Sequence, residues 1–293
     1  MKFHGIVPAL VTPFTADQRL DEKALRGLVE SLIEAGVHGL FVLGTNGEFF
    51  ALSDEEKLEI VRITLDASAG RLPVMVGTGA FSTHEVIEMN KRVEGMGADA
   101  LSVITPYFNA VSQAELIKHY EAIGNATSLP VMMYNIPAKT GMSIGMGAVA
   151  TLSQHPQIKG IKDSAGNFDN LVQMIKYRSD DFAVFAGTDS LIYWNLLAGG
   201  DGAVAATANA VPHVVMSIWN QFQAGNHDAA KAAQELLRPL RDAFALGTMP
   251  SVLKKATDLL NVPVGPCRAP VTSLDAATTQ KLEEILAVYH QNA

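Results

Sequence analysis

The sequence predicts an α/β fold, a (β/α)8 TIM barrel with a C-terminal helical extension, and three observations carry that prediction. Short apolar runs alternate with longer segments of helical periodicity, the pattern of a parallel sheet with helical crossovers. About eight such units follow one another, each roughly 20–30 residues long, and eight is the count that closes a barrel. No Gly-x-Gly-x-x-Gly turn follows the first strand, which weakens the competing doubly wound open sheet.

The elements follow in order. Ile6 to Val11 is the first apolar run and ends in Thr12-Pro13-Phe14. Asp21 to Gly36 has helical spacing through Leu25, Leu28, Val29, Leu32 and Ile33. Gly39 to Leu43 is the second strand, closed by Gly44-Thr45-Asn46-Gly47-Glu48. Ser53 to Glu56 reads as a capping box, in which serine and glutamate satisfy the open amides of a helix start. Ser82 to Glu85 and Ser112 to Glu115 repeat the device after strands at Pro73–Val76 and Ala100–Ile104. Strand five is Val131 to Tyr134, followed by Asn135-Ile136-Pro137 and a helix containing Ala148 to Leu152. Strand six is Ile158 to Ser164, with a helix from Asn167 to Tyr177. Strands at Phe182–Ala186 and Gly202–Ala206 alternate with helices at Leu191–Leu197 and Pro212–Phe222. Beyond these, helices are expected at Ala229–Leu246, Ser251–Leu260 and Leu274–Tyr289. The barrel is therefore assigned to residues 1–225 and a helical extension of the same domain to 226–293.

Composition narrows the function. A net charge of −8 argues against nucleic acid and against an anionic membrane surface. Cys267 is the single cysteine, so no internal disulfide can form and a reducing compartment fits. No apolar stretch is long enough for a signal peptide or a membrane span, and a cytoplasmic location is expected. The eight histidines show no metal-ligand spacing, so no metal site is expected.

The polar residues of interest gather where barrel strands end, the face that carries active sites in this fold. Strand six places Lys162 where an apolar residue would be expected, on the same face as Ile158 and Gly160. Burial disfavours a charged amine, and a neutral amine attacks carbonyls to form a Schiff base. A buried ion pair, with Asp163 or a distant carboxylate, is the alternative. Tyr134, at the end of strand five, is a candidate proton shuttle or a core tyrosine. Thr45, Asn46 and the backbone amides of Gly44 to Gly47 could hold a carboxylate, or form only a tight turn. Glu48 suits a turn-fixing role and Asp163 a structural anchor. Thr78, Tyr107, Gly187-Thr188-Asp189 and Thr207 end the remaining strands.

Three of these segments together resemble the dihydrodipicolinate synthase / N-acetylneuraminate lyase superfamily of class I pyruvate-dependent aldolases. They are Gly44 to Glu48, Tyr134-Asn135-Ile136-Pro137-Ala138-Lys139-Thr140-Gly141, and Gly160-Ile161-Lys162-Asp163-Ser164. The resemblance spans essentially the whole chain. It implies that Lys162 forms the imine with pyruvate or another 2-oxo acid and that Tyr134 moves the proton. It further implies that Thr45, Asn46 and neighbouring amides, Gly47 among them, bind the carboxylate, and that Gly187 and Val204 line the pocket through their backbone. A homotetramer of two tight dimers is expected on the same ground, with no cofactor beyond the covalent lysine imine.

Departures from the synthase pattern bear on the substrate. Asn46 stands for its second threonine, Phe108 for the second tyrosine after strand four, and Lys139 for the arginine that binds the aldehyde's carboxylate. Lysine keeps the charge and loses the bidentate fork. Asp189 matches a position that binds sugar hydroxyls in the lyase branch. The Gly44-Thr45-Asn46-Gly47-Glu48-Phe49 variant, Leu152-Ser153-Gln154-His155-Pro156, Lys162-Asp163-Ser164 and Gly265-Pro266-Cys267-Arg268-Ala269-Pro270 resemble the 4-hydroxy-2-oxoglutarate and 2-keto-3-deoxy sugar-acid aldolase branches. The expected reaction is reversible cleavage of such a 4-hydroxy-2-oxo acid to pyruvate and an aldehyde, with Lys162, Tyr134 and Thr45 catalytic. Lys139, Gly187, Asp189 and Val204 join Asn46 and Gly47 in binding substrate. The alternatives are 4-hydroxy-tetrahydrodipicolinate synthesis from pyruvate and aspartate semialdehyde, a related dehydratase, or a non-catalytic 2-oxo-acid-binding protein.

Overall fold

The computed structural model describes residues 3–290. Its eight strands are β1 Gly5–Pro8, β2 Leu40–Val42, β3 Val74–Gly77, β4 Ala100–Ile104, β5 Val131–Asn135, β6 Ile158–Asp163, β7 Ala183–Ala186 and β8 Gly202–Ala205. They form one sheet in the order β1-β8-β7-β6-β5-β4-β3-β2. A parallel bridge joins Ala9, just past β1, to Phe41 in the middle of β2. Helices alternate with the strands throughout, and the architecture is the expected (β/α)8 barrel. Nearly every strand residue is buried, which is why the strands read as apolar runs rather than as an alternation.

Two compact units make up the chain. One contains the described residues up to Gly5 with Pro73–Val204; the other contains Ile6–Leu72 with the segment from Ala205 onward. In the first unit, β3 to β8 pair in parallel, with Ile104 opposite Tyr134, Tyr134 opposite Lys162, and Lys162 opposite Phe185. Two residues earlier along the strands, Ser102, Met132, Gly160 and Ala183 share the same face. Gly160 has no room for a side chain, since a Cβ there would lie 2.8 Å from the Ala183 carbonyl oxygen.

All three capping boxes form: the hydroxyls of Ser53, Ser82 and Ser112 accept from the amides of Glu56, Glu85 and Glu115, and each glutamate accepts from its serine's amide. The C-terminal segment corrects one expectation. The single helix expected over Ala229–Leu246 divides into His227–Leu236, Arg238–Ala243 and a 3-10 turn Phe244–Leu246. Pro239 supplies the reason, because it has no N–H to donate and its ring collides with the preceding turn. Apolar periodicity continues across the break and masks it. In the same unit the last helix, Ala276–His290, is fastened by Tyr289, whose hydroxyl donates to Leu236 O at 2.9 Å and accepts from Leu240 N–H at 3.1 Å.

His119, on the helix Gln113–Asn125, is buried beside Thr83, with Nδ1 and Oγ1 2.9 Å apart. Burial pushes its imidazole down to about 4. The unfolded chain takes up a proton near the ordinary value of about 6.5 while the folded chain does not. This contribution to stability is therefore complete above that pH and is lost as pH falls through the window toward 4. Urea unfolding at about pH 7 and about pH 4.5 should show His119→Gln losing about 2 kcal/mol less stability than the parent over that interval. Equal losses would contradict the assignment.

Candidate active site

Strand β6 delivers Lys162 to its C-terminal end, 4% exposed, with Tyr134 beside it on β5 at 5%. Their side chains share a face because their backbones are in register. Lys162 Nζ lies 3.8 Å from the centroid of the Tyr134 ring, close enough for the π-face to attract an ammonium. On the other side of β6, Gly187 follows β7 and leaves a channel for the lysine stem. A Cβ at Gly187 would stand 2.9 Å from Lys162 Cε and 3.0 Å from Cγ. Its backbone is held from both ends: Gly187 N–H donates to Asp163 O at 2.8 Å, and Ser164 Oγ donates to Gly187 O at 3.1 Å. Glycine at 187 thus leaves room for Ser164 Oγ, with which a Cβ would collide, as well as for the lysine stem.

Asp163 turns away from Lys162, as strand alternation requires. Its Oδ1 accepts from Asn135 Nδ2 at 2.6 Å and from Ala165 N–H at 3.4 Å. Burial raises its carboxyl above the usual range, with the hydrogen bonds from Asn135, Ala165 and Asn170 opposing that rise. Asn135 in turn accepts from Ile144 N–H at 3.0 Å, so one amide ties β5, β6 and the chain after Pro137 together. Asp163 is a structural anchor.

The remaining candidates of this unit are placed differently from one another. Asp189, 3% exposed, opens the 3-10 turn Asp189–Leu191, and Val204 is buried within β8. Lys139 is exposed on the short helix Pro137–Thr140, which ends at Gly141 with φ 74°. After β4, Tyr107 is half-buried and burial raises its phenol, while Phe108 is 93% exposed at φ 73°. Phe81, also exposed, packs on Tyr107 with ring centroids 4.3 Å apart.

The other unit holds Thr45–Gly47, which the structure makes a 3-10 turn. Gly47 N–H donates to Gly44 O at 3.0 Å and Glu48 N–H to Thr45 O at 3.2 Å. These amides are engaged within the turn. Of the Gly44 to Gly47 backbone, Gly47 N–H is thus committed to the turn, and Thr45 and Asn46 are half-buried. Gly47 instead gives room, since a Cβ there would meet Leu10 O at 3.2 Å and Thr12 Oγ1 at 3.4 Å. The left-handed residues of the loop are not its glycines but Leu43 (φ 59°) and Glu48 (φ 56°).

Lys254 is a residue that reading the strand ends misses. It is 1% exposed, its Nζ donates to Glu48 Oε1 at 3.1 Å and Thr12 O at 2.7 Å, and it also bonds the Pro266 carbonyl. The signal was present in the sequence: Lys254 falls among Val252, Leu253, Ala256 and Thr257 on the buried face of the helix Ser251–Leu260. A lysine in an apolar stripe invites the question of its partner. Among the described residues, no group of three or more His, Cys, Asp or Glu side chains is arranged to hold a metal. No helix among them is long and apolar enough to cross a membrane.

A buried lysine at a barrel strand end, stacked on a tyrosine and given room by a glycine, is the equipment of a Schiff-base enzyme. Comparison with known proteins agrees: residues 2–289 match the dihydrodipicolinate synthetase family, and the chain belongs to that family. It is a class I, pyruvate-dependent carbon–carbon lyase-type enzyme that works through a lysine Schiff base. Among curated relatives, a 4-hydroxy-tetrahydrodipicolinate synthase of Methanospirillum hungatei is 36% identical over 290 residues, covering 98% of this chain and 99% of the relative. That of Archaeoglobus fulgidus is 36% identical over 284 residues, covering 97% of each. Among solved structures, YagE, a prophage protein of the dihydrodipicolinic acid synthase family from E. coli K12 in complex with pyruvate, superposes with TM-score 0.92. It is 36% identical, and 97% of each chain is covered. A dihydrodipicolinate synthase from Bacillus anthracis gives TM-score 0.94 at 31% identity, covering 98% of each chain.

Proposed function

We propose that the protein joins pyruvate to an aldehyde, with Lys162 as nucleophile and Tyr134 as proton carrier. The buried contact of Lys162 Nζ with the Tyr134 ring carries this reading. The Lys162 amine adds to C2 of pyruvate, and loss of water leaves the iminium. The iminium draws electrons from C3, and the C3 proton passes to water, which returns it to Tyr134 after the carbon–carbon step, leaving an enamine. Enamine C3 attacks the aldehyde carbon, the C3–C4 bond forms, and the Tyr134 phenol supplies the proton to the new C4 oxygen. Water or an internal amine then displaces Lys162. Thr45 and Asn46 bind the carboxylate of pyruvate, and Thr45 assists the proton transfer. Gly187 and Val204 contribute backbone to the pocket. The imine is the electron sink, so the proposed reaction calls on no metal or organic cofactor.

Two readings of the aldehyde remain, and each adduct is a 4-hydroxy-2-oxo acid. The relatives' names support aspartate semialdehyde, whose amine would displace Lys162 and close the ring of 4-hydroxy-tetrahydrodipicolinate. Those names weigh more than the sequence motifs, which by themselves favour aldol cleavage. Phe108 and Lys139 favour the second reading, in which a 2-keto-3-deoxy sugar acid or 4-hydroxy-2-oxoglutarate is cleaved and Asp189 meets the hydroxylated tail. Phe108 has no hydroxyl to relay a proton, and Lys139 has no fork to grip a carboxylate. Turnover of pyruvate with aspartate semialdehyde, set beside pyruvate release from 4-hydroxy-2-oxo acids, separates them. A kcat/KM larger by a factor on the order of 100 for one class assigns the enzyme. Comparable failure of both would refute the proposed chemistry.

Lys139→Ala is expected to raise KM about tenfold for a substrate with a carboxylate at the far end, and to leave neutral aldehydes unaffected. An unchanged KM for the acidic substrate would refute that role. A homotetramer of two tight dimers is the proposed assembly, and the exposed aromatic pair Phe81 and Phe108 gives such an interface apolar surface.

A further inference from the structure

The turn Thr45–Gly47 is bounded by a non-glycine residue in the left-handed region on each side, Leu43 and Glu48. Such residues persist only where the surroundings fix them. Glu48 is fully buried, and each of its carboxylate oxygens has a hydrogen-bond donor. Its Oε1 accepts from Lys254 Nζ at 3.1 Å and its Oε2 from Arg268 N–H at 2.8 Å. Arg268 is itself fastened by a two-pronged ion pair to Glu56, both contacts at 2.7 Å, and it donates to Ala51 O at 3.0 Å. Lys254 reaches the turn by a second route. It donates to Thr12 O at 2.7 Å, and Thr12 Oγ1 donates to Gly47 O at 2.6 Å. The ammonium also sits 4.4 Å from the centroid of the Phe14 ring. One buried cation therefore holds both Glu48, just past the turn, and the threonine that grips its last carbonyl.

We propose that Lys254, with Glu48 as its counter-ion, is a positioning residue that fixes Thr45 and Asn46 for the carboxylate of the 2-oxo acid. The proposal rests on the reading that this turn binds that carboxylate. Lys254 touches no reacting atom in it. Its effect is carried by the Glu48 side chain and by the Thr12–Gly47 hydrogen bond. Loss of the ammonium leaves a buried carboxylate without its charge partner and releases Thr12, so the turn loses two fixed points together.

The test uses two carbonyl probes, pyruvate and methyl pyruvate, which differ in the free carboxylate. Each is incubated with the full-length protein and borohydride, and the adduct at Lys162 is followed by mass against probe concentration. Lys254→Met should raise the half-saturating pyruvate concentration about tenfold and leave that for methyl pyruvate within about twofold of the parent. Thr12→Val removes only the hydroxyl contact to Gly47 and should shift pyruvate alone, by about threefold. It decides the matter by itself if Lys254→Met does not unfold cooperatively. No change for pyruvate overturns the proposal, and so does an equal loss for both probes, which would mark a purely structural pair. A parent protein that forms no adduct with either probe overturns the Schiff-base reading instead, and this proposal with it.

Discussion

Lys162→Ala is expected to lower kcat/KM by a factor on the order of 10⁵, about 7 kcal/mol of transition-state stabilisation, while the barrel remains folded. The magnitude follows from the role: without the amine there is no iminium to draw electrons from C3, and nothing nearby replaces a covalent intermediate. Retention of the fold follows from the site. Lys162 is buried at the end of one strand, β6, so the other seven strands and their helices keep their packing when it is replaced. Lys162→Met keeps the stem beside Gly187 and serves as the packing control. Steady-state rates and a thermal melt check both statements, and more than a hundredth of parental activity in either variant would contradict the nucleophile assignment.

Tyr134→Phe is the second large effect, and it should separate two steps that Lys162→Ala abolishes together. The variant keeps the ring 3.8 Å from Lys162 Nζ and removes only the hydroxyl. Imine formation with pyruvate should therefore survive while the carbon–carbon step loses its proton carrier. A fall in kcat of about 10²–10³ is expected, within the range of general acid–base catalysis. Borohydride trapping of pyruvate should remain within a few-fold of the parent. Parental kcat would remove Tyr134 from the mechanism, and loss of trapping in step with kcat would make it a support for Lys162 alone.

The parts of this molecule that were legible in the sequence are those where local chemistry and tertiary structure agree. The strands are buried on both faces, so they read as short apolar runs, and the capping boxes at Ser53, Ser82 and Ser112 mark helix starts without help from the fold. Lys162 was visible for the opposite reason, as the residue that violates its surroundings. Lys254 violates its surroundings equally, but its partner Glu48 is 206 residues away in sequence, so nothing local disclosed what it held. The turn at Gly44–Gly47 is legible as a motif, and of its two readings, carboxylate cradle or tight turn, the structure shows the turn itself. What the sequence does not disclose is that Gly47 gives clearance against Leu10 and Thr12 and that its N–H is bonded within the turn. The break at Pro239 was missed because the apolar stripe resumes in register beyond it.

The measurement that meets the central claim most directly is borohydride reduction in the presence of pyruvate, followed by peptide mass mapping. The account predicts one reduced pyruvyl adduct, confined to the peptide that carries Lys162 and absent from Lys162→Met. A folded protein that gains no adduct, or gains it on a different lysine, would contradict it.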